Sequence, residues 1–388
     1  MQEVEIWLFE IAVLIIAAKL LEGISIRTGI PRVVFFTLLG VMISFIGFIS
    51  NYILSEILGV FATLGIISLL FLAGLESSLK YFVRGLKHAG IVAIGGVLGA
   101  LGFALLAIPL LNMTLYEAFL IGVVLAATSV SVTVSVFEEL GKLDLPEATT
   151  IVEAAVVDDV IGLILLSFLS GTGSTVNPLV MFSIPFIAFI IWYSTAILAS
   201  RYMDILLKKV LKIGAIKGIE AFSFSILLIL AFIAEKIGLA SILLAYAYGI
   251  GLATHRYFAR KVEEYARMLS AIFAPLFFIY VGYRLDFEYL LSLDLFTIVY
   301  VVTVITVLGF LSKFIGCYIA ARAVGYNHKS SLIIGIGMIP RSEVAMVAAT
   351  AAYELELIAS DLYAAYIVMI LLTTILSPII LRRVVETM

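Results

Sequence analysis

Asp158 and Asp159 stand side by side in VVDDVIGLIL, Val156–Leu165, a run that is otherwise wholly apolar. Inside a membrane each charge costs at least about 2.5–3.5 kcal/mol, so ionisable residues there mark function by default. Adjacent carboxylates also repel, and one of them must be neutralised by a proton, a cation or a basic partner. A carboxylate that holds either a proton or a cation, never both, is a device for exchange. On a helix neighbouring residues diverge by about 100°, so both aspartates face one side only obliquely. The basic partners on offer are few. Lys313 lies well inside the apolar GFLSKFIGCYIAA, Gly309–Ala321, and Arg341 and Glu343 stand together in GIGMIPRSEVAM, Gly335–Met346. Lys19 is nearer the end of its apolar segment and can snorkel to the interface. Glu153 precedes Asp158 by five residues. Arg341 can balance the C-terminal dipole of a half-helix, or pair with Glu153 or Glu343, and these alternatives stay open. Gly162, one turn after Asp158, would let another helix approach closely.

These side chains need spans to carry them. Of 388 residues, 63% are hydrophobic and 13% charged, and mean hydropathy is +1.22. A soluble domain has about 45–50% apolar and 25% charged residues. The composition is that of an all-α polytopic membrane protein surrounded by lipid. About 20 residues cross a bilayer core, and thirteen apolar segments of roughly that size end at charge or turn clusters: 5–26, 31–50, 53–75, 88–110, 114–138, 147–171, 176–202, 217–236, 239–255, 267–283, 295–323, 329–353 and 361–384. The ninth and tenth are short. Nineteen of the 24 Lys and Arg fall on the side of the C-terminus, and two, Lys236 and Arg284, on the other. The positive-inside rule then puts the N-terminus outside and the C-terminus in the cytoplasm of a cell membrane. The acidic start lacks the basic region of a cleaved signal, so the first span is expected to stay. A net charge of −3 suggests no nucleic-acid partner, and the lone Cys317 gives no disulfide framework. No cofactor and no enzymatic reaction are expected. The charged stretch 255–270, HRYFARKVEEYARMLS, reads equally as an interfacial helix or a solvated loop.

Two segments are marked for interruption. The twelfth holds Gly335, Gly337 and then Pro340, and a proline removes a backbone hydrogen bond and clashes with the preceding turn. The fifth holds AATSVSVT, Ala126–Thr133, a cluster of small hydroxyl residues but no proline. Freed backbone groups are tolerated at membrane depth only inside protein or along a wet cavity. The two segments are seven spans apart, so they enter the membrane in opposite directions. That is the arithmetic of an inverted repeat, spans 1–6 against 8–13, with two crossed discontinuous helices. Transporters of this design bind their ions near the midplane, between half-helices.

The tandem Asp in EAAVVDDVIGL, the ATSVSVT segment, the lysine in SKFIGCYIAAR and GMIPRSEVAM, taken in order, resemble the monovalent cation:proton antiporters of the NapA/Kef branch. The resemblance spans the whole chain. It implies a core domain, about 88–171 and 295–384, and a scaffold and dimerisation domain, about 5–75 and 176–283. It further implies a homodimer, Asp159 as the residue that binds cation or proton, and Asp158 as the partner of Lys313. The Asp-Asp pair is similar to the electrogenic sodium type, whereas potassium-efflux relatives often carry Gln-Asp. Kef relatives also usually carry cytosolic nucleotide-binding domains, and none is expected within these 388 residues. In the electroneutral branch the glutamate corresponding to Glu153 is one residue closer to the pair.

The expected activity is therefore exchange of Na+ or Li+ for H+ by alternating access, through competition for the carboxylates. Sodium is a hard ion that takes oxygen ligands, so hydroxyls and free carbonyls near Thr128 and Ser129 suit it. A potassium:proton antiporter on the same scaffold is the first alternative. A sodium-coupled symporter for an organic anion is disfavoured because only Arg341 offers an anion site. A cation channel is disfavoured because crossed broken helices and a charged triad suit occluded binding.

Overall fold

The computed structural model describes residues 2–46, 52–77, 89–142, 145–171, 178–341 and 343–386, and they form helices joined by short turns. In chain order these are α1 (Gln2–Thr28), α2 (Arg32–Ile46), α3 (Tyr52–Glu76), α4 (Ala89–Ala104), α5 (Ala107–Leu111), α6 (Leu115–Ala126), α7 (Val130–Glu139), α8 (Pro146–Gly171) and α9 (Pro178–Ile213). There follow α10 (Gly218–Lys236), α11 (Ser241–Ala253), α12 (Arg256–Tyr283), α13 (Phe287–Ser292), α14 (Leu295–Ala323), α15 (His328–Gly337), α16 (Glu343–Glu354) and α17 (Ser360–Glu386). The protein is an all-α polytopic membrane protein; each of the thirteen apolar segments carries at least one of these helices, and the short α13 lies between the tenth and eleventh segments. Seven helices among the described residues are long and apolar enough to cross a bilayer unaided. Segments five and twelve fail that length test because each is split in two.

Helix ends follow from local chemistry. Thr114 and Glu117 form a reciprocal capping box at the start of α6, with Thr114 N donating to Glu117 Oε2 at 2.7 Å and Glu117 N donating to Thr114 Oγ1 at 3.3 Å. Asp294 caps α14 and Asn327 caps α15 in the same role. Gly325, at φ 99°, supplies the left-handed turn between those two helices.

Two expectations about boundaries change. The charged stretch after residue 255 is neither a separate interfacial helix nor a loop: it is the first half of α12, continuous from Arg256 to Tyr283. Its polar side chains follow helical spacing, with Phe258, Ala259, Val262 and Ala266 turned inward, so the charges do not end the helix. The ninth segment is shorter than expected, 13 residues, and Ile242 through Leu252 are all buried. A helix enclosed by protein need not match the bilayer thickness.

The chain divides into two compact units: residues 1–27, 35–80 and 163–283 in the first, and residues 28–34, 81–162 and 284–388 in the second. In the first, α3 packs on α11 and α12. The second contains every residue singled out above as a candidate for ion chemistry, and its frame is α14 packed on α4, α15 and α17.

Candidate functional site

The tandem aspartates divide as soon as α8 forms. Asp158 turns fully into the second unit with 0% exposure, while Asp159, one residue on, is only partly covered. Lys313 on α14 is likewise 0% exposed, and its Nζ donates to Asp158 Oδ1 at 2.5 Å. The other carboxylate oxygen of Asp158, Oδ2, is buried with no hydrogen-bond partner among the described residues. A buried ion pair persists only when its geometry repays the desolvation of both charges. This one leaves half of a carboxylate unsatisfied. The charges close enough to act on Asp159 are Asp158, Glu343 and Lys313.

Room for Lys313 comes from α4. Gly96 faces it: a Cβ there would lie 2.7 Å from Cys317 Sγ and 3.1 Å from Lys313 Nζ. One face round, Gly99 brings the α4 backbone against Gly316, whose Cα would be 3.0 Å from a Cβ at position 99. Small residues four apart permit this close crossing, and the signal for it, Gly95-x-x-x-Gly99, is in the sequence although it was not among the residues singled out above.

Both predicted interruptions are present. In the twelfth segment α15 ends at Gly337 and α16 starts at Glu343; Ser342 lies outside the described residues. In the fifth, α6 ends at Ala126 and α7 starts at Val130, with Ala127 extended at φ −65°, ψ 144°. The two breaks satisfy each other. Ser129 N donates to Pro340 O at 2.8 Å, Thr128 Oγ1 to Met338 O at 3.3 Å, and Thr133 Oγ1 to Gly337 O at 2.6 Å. Ser129 Oγ also reaches Glu343 Oε2 at 3.5 Å. Backbone groups freed at membrane depth are thus paired inside protein. Thr133 belongs with Thr128 and Ser129 in this crossing and was not picked out individually from its hydroxyl cluster.

Arg341 chooses among its three alternatives. Its guanidinium, 0% exposed, donates to Gly309 O at 2.8 Å, to Ile339 O at 3.1 Å and to Met338 O at 3.5 Å. Two of these carbonyls lie just past the end of α15, so Arg341 answers the negative end of that half-helix. It bonds to neither Glu153 nor Glu343. Its own carbonyl accepts from Thr374 Oγ1 on α17, a contact that no residue pattern announced. Glu153 sits partly exposed on α8 and is not among the groups that Arg341 bonds. Lys19 pairs with Glu22 at 2.7 Å on α1, away from these groups in sequence and unit. Gly162 is less demanding than expected: a Cβ there would meet Val344 Cγ1 at 3.6 Å and Ala127 Cα at 3.9 Å, ordinary contacts. What that position shows is that α8 lies against both breaks.

The site therefore has two strata. Asp158, Lys313 and Arg341 form a dry layer of charges, while Asp159 and Glu343 keep part of their surface accessible beside the hydroxyls of Thr128 and Ser129. Carboxylates, hydroxyls and carbonyls are oxygen donors of the kind that hard monovalent cations take. Among the described residues no cluster of His, Cys, Asp and Glu is arranged to hold a resident metal.

The chain matches the family described as sodium/hydrogen exchanger, transmembrane, over residues 11–387. It is 30% identical to the Na(+)/H(+)-K(+) antiporter GerN of Bacillus cereus over 96% of this chain and 95% of that one. It is 31% identical to a Na(+)/H(+) antiporter of Enterococcus hirae, over 96% of each chain. A solved structure of the sodium proton antiporter MjNhaP1 from Methanocaldococcus jannaschii superposes with a TM-score of 0.73 at 17% identity, covering 98% of this chain and 96% of that one. That last likeness speaks for the fold. With a family match that takes in both broken segments, the tandem aspartates and Lys313, the chain belongs to the sodium/hydrogen exchangers, secondary transporters that are not enzymes.

Proposed function

We propose that the protein exchanges sodium, or lithium, for protons by alternating access, with Asp159 as the exchange carboxylate and the movement electrogenic. The observation that carries this reading is the fully buried Lys313–Asp158 pair, 2.5 Å long, one residue away from the partly accessible Asp159. Asp159 holds either a proton or the cation. Thr128 and Ser129 supply oxygens: the Thr128 hydroxyl spends its proton on Met338 O and keeps lone pairs for a cation. A sodium ion arriving at Asp159 draws on the unsatisfied Oδ2 of Asp158 and weakens the hold of Lys313 on its Oδ1. Lys313, buried and losing its partner, gives up its proton. Two protons then leave for each sodium, one from Asp159 and one from Lys313 or Asp158. An empty site bearing bare carboxylate charge moves poorly, which enforces exchange.

The rest of the assignment rests on composition and on the resemblance. The site-bearing helices, about 88–171 and 295–384, form the core, and about 5–75 and 176–283 the scaffold through which two copies dimerise. The 19-to-2 distribution of basic residues supports a cell-membrane protein with its N-terminus outside and its C-terminus in the cytoplasm. A potassium:proton exchanger is the second reading, favoured by the potassium in the name of GerN. The test is a cation panel in inverted vesicles with a pH-sensitive dye. Na+ and Li+ are expected to dequench it at concentrations where K+ does not. Dequenching by K+ at equal or lower concentration would transfer the assignment to the second reading.

A further inference from the structure

The mechanism above uses one accessible carboxylate, but the site has two. Glu343 opens α16, and its Oε2 lies 3.5 Å from Ser129 Oγ, which itself precedes the first residue of α7. Two half-helix N-termini, both positive ends of dipoles, thus meet at one hydroxyl and one carboxylate. Asp159 and Glu343 are also set apart by exposure: both are partly accessible, while Asp158, Lys313 and Arg341 are wholly buried.

We propose that Glu343 is the second carboxylate of the exchange site, sharing the incoming monovalent cation with Asp159 across Ser129. The proposal rests on the reading of Asp159 as the exchange carboxylate. The charge balance supports it. Arg341 stays protonated at any physiological pH and is tied to backbone carbonyls, so it is a fixed positive charge. Arg341 and Lys313 both act on Asp158, whereas Glu343 acts on Asp159, so Asp159 and Glu343 are the two carboxylates left to face a cation beside Ser129. Without Glu343 the negative charges of Asp158 and Asp159 only cancel the positive charges of Lys313 and Arg341, and the pull on an incoming cation weakens. The charged groups facing Glu343 are Asp159 on α8 and Arg32 at the start of α2, in a segment of the same compact unit.

The experiment is sodium-driven proton exchange by the full-length protein in liposomes, over a series of sodium concentrations and pH values. Glu343→Gln is expected to raise the apparent KM for Na+ about tenfold, the equivalent of one charge-assisted contact, and by more than it lowers the maximal rate. It should also move the pH profile to lower values, because a neighbouring negative charge no longer helps Asp159 hold its proton. Glu343→Asp, which keeps the charge, is expected to recover most of the sodium affinity and the wild-type pH profile. An unchanged KM and pH profile in Glu343→Gln overturns the proposal. So does Glu343→Asp behaving like Glu343→Gln. A parallel Asp159→Asn sample separates the two claims. Exchange persisting there sinks the underlying reading, while its loss beside a wild-type-like Glu343→Gln sinks only this one.

Discussion

At the scale of single residues, the cost of charge in an apolar medium explains what could be read early. Two aspartates and a lysine inside apolar runs are so expensive that their presence alone marks them. The partner of Arg341 was not legible in the same way. Helical spacing gives the phase of a residue but not what faces it, and the groups that engage Arg341 are backbone carbonyls of Gly309, Met338 and Ile339, which any residue type offers. Glu153, a carboxylate at a suggestive distance in sequence, is not among those groups. The Lys313–Asp158 pair makes a prediction at this scale. Lys313→Ala should cost about 3–5 kcal/mol of stability by leaving a buried carboxylate without its partner. Lys313→Ala combined with Asp158→Asn should be less destabilised than the sum of the two single changes. Thermal unfolding of the four detergent-solubilised forms measures this. Strict additivity would mean that the pair is not energetically coupled.

At the scale of elements, one break announces itself and the other does not. Pro340 cannot complete a helix, so the interruption between α15 and α16 follows from local chemistry. The break between α6 and α7 has no such residue. It exists because Ser129 N finds Pro340 O, and Thr128 and Thr133 find Met338 and Gly337, more than 200 residues away. Only the tertiary partner makes the extended backbone at Ala127 affordable. The continuity of α12 was hidden for the opposite reason: its charges stop an apolar pattern without stopping a helix. The close approach of α4 to α14 carries a prediction. Gly96→Leu should place atoms where Cys317 and Lys313 now lie, cost about 1–3 kcal/mol through overpacking, and sharply reduce exchange. The check is unfolding temperature together with liposome transport. Wild-type values in both would show that Gly96 does not position Lys313.

At the scale of the whole molecule, the family and the membrane-spanning helical architecture were readable from composition, the spacing of spans and four motifs in order. Those are features that survive when individual contacts are unknown. The compact unit that gathers residues 81–162 and 284–388 unites Asp158 and Lys313 across 155 positions of chain. A sodium/hydrogen exchanger couples the movements of two ions, and coupling belongs to the assembled protein in its membrane. The central claim is that Asp159 carries the exchanged ion. The most direct test reconstitutes Asp159→Asn into liposomes with a sodium gradient and reads both internal pH and membrane potential. The account predicts that sodium-driven proton movement and the accompanying potential both vanish while the protein remains folded. Sodium-dependent proton movement at the wild-type rate in that variant would contradict it.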